Sequence, residues 1–588
     1  MTRTIQYVIT FCVLVALAAA PFWAGSFTIT LLNYIGIYAL VALGIVLLTG
    51  VGGLTSFGQA AFVGIGAYAT AWLTTVHGAS PWLGLGFALG LTSAIAALLG
   101  AVTLRLGGHF LPLSTIAWGL SIFYLFGNLD ALGRYNGITG VPPISIGSIS
   151  FAPSTTIYYL IWGLLAGSAV LVANLLDSRE GRAIRSLRGG TVMIESLGVS
   201  AFRIRLVTFI IAALLAGLSG WLYAHMSRYV SPAPFDVRMG IEYLFMAIVG
   251  GSGHILGAVI GAAIITLLKN TLQDVLPYFS SQGAQLEIIV FAVLFILVLQ
   301  FARRGVVPYV RRLLPKGSKP ALAAAEPLER RTMPERGTPL LKVDNLVKRF
   351  GGLVAVNQVG FEVRAGEIVA LIGPNGAGKS TMFNLITGAL ESDSGKVSFL
   401  GQDITGVGQR RIAKAGIART FQHVKLRPNM SLLDNVLLGT YLRTHSGFLT
   451  GALRLSRNEE ARARFEALTQ LKRVGLGENP YELAGNLPLG SQRILEVARA
   501  LAADPALVVL DEPAAGLRRL EKLALADLLR GLRTEGVTIL IVEHDMDFVM
   551  GLVDRLVVMD FGSKLTEGPP SAVRSDTRVQ EAYLGGVA

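Results

Sequence analysis

From residue 4 to residue 104 the chain carries no Lys, Arg, Asp or Glu, and its apolar residues come in long runs broken by Gly, Pro and Ser. A water-soluble domain needs charge on its surface, whereas a helix crossing a ~30 Å hydrocarbon layer needs about 20 apolar residues. Such segments fall near 5–23, 27–49, 54–75, 82–104, 110–127, 158–176, 204–226, 240–268 and 285–302. The segment 240–268 is interrupted by VGGSGHILG, which predicts two short helices joined at membrane depth. Counted that way, the pattern gives a multi-span α-helical membrane domain of about ten helices. It also brings the arginine-rich loop after residue 176 and the basic stretch after Phe301 to one side, as the positive-inside rule asks.

From Leu340 the pattern changes to short β-rich runs alternating with helical ones, the signature of a soluble α/β domain. Three regions follow: a membrane domain over 1–302, a Pro-, Arg- and Ala-rich linker over 303–339, and an α/β domain over 340–588. The linker's basic residues suit either contact with anionic headgroups or a solvated tether.

The net charge of +13 invites a nucleic-acid reading, but its distribution argues against one. Residues 1–302 carry 12 basic and 8 acidic side chains, 303–339 carry 9 and 3, and the remainder 30 and 27, so the excess sits in the linker. No dense basic face is left for nucleic acid on the soluble domain. Cys12 is the only cysteine, which excludes a disulfide or a thiolate metal site within one chain. The N-terminal apolar run is longer than a signal-peptide core and another span follows at once, so it reads as a retained first span.

The chemistry lies in the α/β domain. LIGPNGAGKST follows the apolar run EIVALI and fits the phosphate-loop pattern, with Gly373, Pro374, Asn375, Gly376, Ala377, Gly378, Lys379, Ser380 and Thr381 in order. The glycines let backbone N–H groups turn toward phosphate, Lys379 reaches the β and γ phosphates, and Ser380 suits Mg²⁺. ALVVLDEP ends a strand on Asp511, suited to the metal shell, and Glu512, suited to orienting or deprotonating water. Taken singly, His544 after TILIV reads as a structural histidine, Gln422 in ARTFQHVKL as any glutamine, and Phe350 in VKRFGGL as a core aromatic.

Their order carries more. Phe350, GPNGAGKST, Gln422, a helix beginning near Gly490, LVVLDEP and His544 together resemble the ATP-binding domain of ABC transporters. That resemblance implies an adenine stack at Phe350, a Walker A loop, a Q-loop at Gln422, a Walker B pair and a switch histidine at His544. The implied cofactors are ATP and Mg²⁺, with Ser380, Gln422 and Asp511 around the metal. KRFGGLVAVNQVGFEV, DEPAAGL and RVQEAYLG are similar to the branched-chain amino acid importer subfamily. GGLTSFGQAAFVGIGAYATAWL and GRAIRSLRGGTVMIESLGVSAFRIR are similar to the permease of the same importers, with the coupling helix around 189–200. The chain thus resembles a natural fusion of permease and ATPase.

The fusion implies ATP-driven uptake of branched-chain or related amino acids across the bacterial inner membrane, with the ATPase in the cytoplasm; related importers take urea, short amides or aromatic acids. The implied partners are a second permease with its own ATPase, a heterodimer being favoured over a homodimer, and an extracytoplasmic solute-binding protein. An exporter half-transporter extends its membrane helices into water, which the charge-free run over 4–104 argues against. A non-hydrolytic regulator would not need the full set of Walker, Q-loop and switch residues. Two glycine-interrupted segments, Gly52-Gly53 with Ser56 and Gln59, and Gly250-Gly251 with Ser252 and His254, point either to a transport path or to close helix packing.

One stretch departs from the family's pattern. Where ABC proteins carry Leu-Ser-Gly-Gly-Gln, offered across the dimer to the partner's nucleotide, this chain has Leu487, Pro488, Leu489, Gly490 and Ser491, followed by Gln492. Pro488 removes a hydroxyl and an N–H, although proline suits a helix's first turn. Together with Arg518, where Asn or Asp is usual, it predicts a weakened signature and two unequal ATP sites.

Overall fold

A computed structural model describes residues 15–105, 110–278, 283–301, 305–309 and 325–584. The chain divides into two compact units, one of residues 1–177 and 202–319, the other of 178–201 and 320–588.

The first unit is helical. A stretch at 15–23 is followed by helices Ser26–Ile45, Gln59–Val76, Pro81–Thr103, Phe110–Asn128, Ser154–Leu176, Ala201–Ser227, Val237–Gly251, Ile255–Val275 and Gly283–Phe301. Six of the described helices are long and apolar enough to cross a membrane. The first residues of the expected span 5–23, and Cys12 with them, lie outside the described residues, as does residue 302.

Segment 240–268 does form two helices with a break at 252–254, but they are not both short: Val237–Gly251 has 15 residues and Ile255–Val275 has 21. The pair packs tightly because Gly250 and Gly261 leave no room for a side chain; a Cβ on either would sit 1.7 Å from a carbonyl oxygen of the facing helix. A second irregularity follows Ser26–Ile45, whose last turn widens into a π-helix, Val46–Val51, before non-helical backbone leads to Gln59. Inserting an extra residue per turn is a common device at functional sites.

In the second unit a six-stranded sheet is ordered Ile417–Arg419, Leu507–Asp511, Thr538–Val542, Ile368–Ile372, Arg555–Asp560, Ser563–Gly568, all parallel except the last. Its three central members are buried at every position, which explains why they read as unbroken apolar runs. A four-stranded antiparallel sheet begins at Pro339.

Of the linker 303–339, whose basic residues suit either anionic headgroups or a solvated tether, the part from residue 325 is held by the cassette. Arg331 donates to the Ala415 carbonyl at 2.7 Å, Arg462 to Pro327 at 2.9 Å and Arg443 to Glu329 at 3.0 Å, while Leu328 is buried. Arginines that reach back to linker carbonyls leave no periodic apolar pattern for a sequence reading to find. Residues 310–324 lie outside the described residues.

Candidate functional site

Four neighbouring strands of the parallel sheet end on the chemistry: Ile417–Arg419 leads to Gln422, Leu507–Asp511 to Glu512, Thr538–Val542 to His544 and Ile368–Ile372 to the glycine loop. Crevices at the carboxyl ends of parallel strands are where open α/β sheets bind ligands. A cleft of about 510 Å³ opens there, running from Phe350, Val354 and Phe561 past Gly376–Thr381 to Gln422 and Glu512.

The loop needs its glycines. Gly373 and Gly378 have φ of 153° and 94°, and a Cβ on them would lie 2.1 Å from the Met559 oxygen and 2.2 Å from the Ala355 oxygen. Lys379 donates to the carbonyls of Gly373 and Pro374, both at 2.8 Å. Its burial lowers the ammonium pKa, against the opposing fields of Glu512 and Glu543. Ser380 and Thr381 line the cleft, as does Asn375; Ala377 is buried beneath it. Phe350 is 46% exposed, with the Lys348 ammonium 5.6 Å from its ring centroid.

Asp511 is buried and its carboxyl is pushed up to about 6, by desolvation first, with Glu512 and Glu543 adding and Arg419 opposing. Among the described residues its Oδ1 has no hydrogen-bond partner. An orphaned buried carboxylate oxygen at the end of the strand that packs on the Lys379–Ile386 helix fits Mg²⁺, which takes one or two protein oxygens and fills its shell with water and phosphate.

Glu512 sits at φ 44°, a strained backbone for a non-glycine residue and a frequent mark of an active site. Its Oε2 accepts from Gln422 Nε2 at 2.9 Å, and its Oε1 lies 3.8 Å from His544 Nδ1. The structure therefore brings Gln422, Glu512 and His544 to one end of the cleft.

Comparison with known proteins gives this geometry a family. Residues 27–299 match the permease component of branched-chain amino acid transport systems, 356–515 the ABC transporter family and 563–588 the branched-chain amino acid ATP-binding cassette transporter family. Over 250 residues the chain is 43% identical to the high-affinity branched-chain amino acid transport ATP-binding protein LivG of Salmonella typhimurium, covering 42% of this chain and 98% of LivG. The chain belongs to the branched-chain amino acid ABC transporter family. BraF of Pseudomonas aeruginosa is 41% identical over 250 residues, covering 42% of this chain and 98% of BraF. A solved nucleotide-free ATP-binding cassette from an ABC transporter is 34% identical, covering 42% of this chain and 100% of its own, at a TM-score of 0.38. The transporter chain is thus a permease and an ABC ATPase in one polypeptide.

Several residues of the ATPase site carry no sequence signal strong enough to single them out. Arg493, one position after Gln492, donates to the Glu512 carbonyl at 2.9 Å and the Gln422 carbonyl at 3.2 Å. Arg419 is stacked between Phe383 and Phe421 and donates to Thr387 at 2.7 Å. Glu543 is fully buried and accepts from the Ala514 N–H at 2.8 Å and the His544 N–H at 2.9 Å. Each is an ordinary charged residue in sequence and acquires its place only when strands from distant segments meet.

The signature helix runs Leu489–Leu501. Pro488 stands just before it, at the N-cap with φ −57° and ψ 156°, and no side chain caps the helix. Leu487 accepts from the Gln492 amide at 2.8 Å; Pro488 and Leu489 are exposed and Gly490 is buried. Glu521 fills the space over Gly490, where a Cβ would lie 2.5 Å from its Oε1, while its other oxygen accepts from the Arg518 N–H at 2.8 Å. Arg518 and the signature therefore meet at one carboxylate, with Ser491 half-buried beside it.

The segment 178–201 packs on the cassette, and its contacts start earlier than the expected 189–200. Arg182 makes two bonds to Glu460, at 2.8 and 3.0 Å, and Arg179 lies 3.5 Å over the Tyr441 ring while donating to the Ser446 carbonyl. Further on, a Cβ on Gly198 would meet Leu442. The expected region packs there too: Thr191–Ser196 lies against the cassette helix Gln409–Ala415 with Met193 and Ile194 buried, and the helix Arg179–Ser186 adds the arginines.

In the membrane unit the two glycine breaks come together, since a Cβ on Gly50 would lie 1.4 Å from the Ser252 oxygen. Ser56 and Gln59 are fully buried, and among the described residues neither the Ser56 hydroxyl nor either Gln59 amide atom has a hydrogen-bond partner. His254 is the N-cap of Ile255–Val275.

Proposed function

We propose that this chain is one half of an importer that couples ATP hydrolysis to uptake of branched-chain amino acids, with its ATPase facing the cytoplasm. The observation that carries the reading is that a permease sequence and a cassette similar to branched-chain amino acid ATP-binding proteins share one chain, with a permease-derived segment packed on the cassette.

In this reading Phe350 stacks on adenine, the Gly373–Thr381 backbone and Lys379 hold the phosphates, and Asp511 with Ser380 and Gln422 hold Mg²⁺. The metal, when bound, neutralises charge on the phosphates. Glu512 takes a proton from water or orients it, Gln422 fixes the carboxylate through its amide, and His544 faces the γ-phosphate. Leu487 to Gln492 are offered to the nucleotide of a second ATPase subunit, so a partner permease and ATPase is required. A heterodimer is favoured because the altered signature would otherwise be imposed on both ATP sites. Ser56, Gln59, Ser252 and His254 lie along the solute path: polar groups left unpaired in the interior, as at Ser56 and Gln59, are costly unless something passes that bonds them. An extracytoplasmic solute-binding protein delivers the solute.

The test is calorimetry on the solute-binding protein encoded beside this chain, followed by uptake into vesicles holding the assembled complex. Binding of leucine-type amino acids and ATP-dependent uptake are expected; binding of urea or short amides and of no amino acid overturns the substrate.

A further inference from the structure

The hairpin of Val237–Gly251 and Ile255–Val275 carries an ion pair that ATP chemistry does not use. Lys269 Nζ meets both oxygens of Glu242, at 2.9 and 3.1 Å. Each residue lies more than a helical turn inside its helix, and Lys269 turns to the carboxylate in place of reaching outward for headgroups. The pair is not sealed either: the Glu242 side chain is 22% exposed and that of Lys269 35%. Charges facing lipid are costly, so a partly open pair inside a hairpin of apolar helices marks a face that something polar reaches.

Tyrosines stand beside it. Tyr38 and Tyr243 pack edge to face with ring centroids 5.7 Å apart, and Tyr34 lies 5.8 Å from Tyr38. Tyr243 directly follows Glu242 in its helix and is buried. A carboxylate, an ammonium and aromatic faces together complement a molecule with an ammonium, a carboxylate and an apolar side chain. An uncharged urea or amide has neither ionic group.

We infer that Glu242 and Lys269, on the hairpin against which Tyr38 packs through Tyr243, read the zwitterionic head of an α-amino acid as it passes the permease. The solute's ammonium takes Glu242 and its carboxylate takes Lys269, so the solute opens the resting pair and replaces it. The inference rests on the amino-acid importer reading above, and solute binding to the binding protein tests that reading without touching these residues.

The experiment is leucine uptake per ATP hydrolysed by the complete complex in proteoliposomes, for Glu242→Gln, Lys269→Met and the double variant. Removing one charge strands the other, so either single variant loses uptake under a structural role as well. The double variant strands no charge and should melt within a few degrees of the parent. It should still show uptake per ATP down by roughly tenfold or more, the loss of a charge-assisted contact on each end of the solute. Parental uptake per ATP in the double variant overturns the inference. Should the double variant fail to assemble, Lys269→Arg keeps the charge and changes its reach: a several-fold rise in the leucine concentration for half-maximal uptake supports the site, and no change overturns it.

Discussion

Two helices of the cassette begin at the places proposed for phosphate, and they begin differently. Lys379–Ile386 follows Gly378 in left-handed conformation, with Lys379 folded over the loop and glycine φ values open only to glycine. Leu489–Leu501 follows Pro488 at φ −57° and ψ 156°, has no side-chain cap and exposes Leu489. Both present a helix N-terminus, with its free N–H groups and favourable dipole. The first adds a cation and a shaped cradle, the second little beyond backbone. At the N-cap proline's missing N–H costs the helix nothing, so the alteration amounts to a lost hydroxyl and an added apolar side chain. In the proposed function, the residues for the chain's own nucleotide keep the family's pattern, and the departures fall on those offered to a partner.

The largest test of that contrast is Glu512→Gln. ATP hydrolysis by the assembled complex should fall by about 10²–10⁴-fold, the usual worth of a general base, with nucleotide binding retained. Unchanged hydrolysis would remove Glu512 from its proposed role. Next is Gly373→Ala, whose Cβ would press on the Met559 carbonyl. Nucleotide affinity should drop at least about tenfold, with a destabilisation of ~1–3 kcal/mol seen in the melting temperature; normal binding would show the cradle to be more yielding than its geometry.

A third test uses pH. Asp511 without metal is held up near 6, above the usual carboxylate value, so its protonated form is favoured in the fold. The stability that protonation supplies is therefore present at low pH and lost as pH rises through the window up to about 6. Metal binding needs the ionised form and runs the other way: Mg²⁺ affinity should be full above that value and fall about tenfold per pH unit below it, measured by Mg²⁺ titration with ATP present. Asp511→Asn should flatten the profile. The smallest effect is expected for Pro488→Ala, raising ATPase turnover by about two- to threefold, well under 1 kcal/mol. No change would make the signature an ordinary variant.

What the sequence disclosed follows the physics of each signal. The phosphate loop, Asp511 and Glu512 were legible because their chemistry needs fixed residue types at fixed local spacing. The break near Ser252 was legible because glycines interrupt an apolar run. Arg493, Arg419 and Glu543 were not, since a charged residue in a helix or at a strand end looks solvated until distant segments enclose it. The same holds for Arg182 and Glu460, separated by 278 positions, and for residues 325–338, where arginine side chains from elsewhere grip an unpatterned stretch. The altered signature could be seen as a departure, but its placement at the N-cap and its contact with Glu521 required the fold.

The hold of residues 178–201 on the cassette bears on why this polypeptide is one chain at all. Arg182 and Glu460 are 3% and 14% exposed, and breaking such a pair costs on the order of 3–5 kcal/mol. A cassette gripped that way should not need its covalent leash. Cleaving the backbone between 310 and 324 should leave the two fragments associated through purification, and expressing them from separate genes should yield the same assembly at sufficient concentration. Fusion then acts as local concentration, guaranteeing one cassette per permease during synthesis, and its loss or gain is a change in stoichiometry control that leaves the machine itself alone.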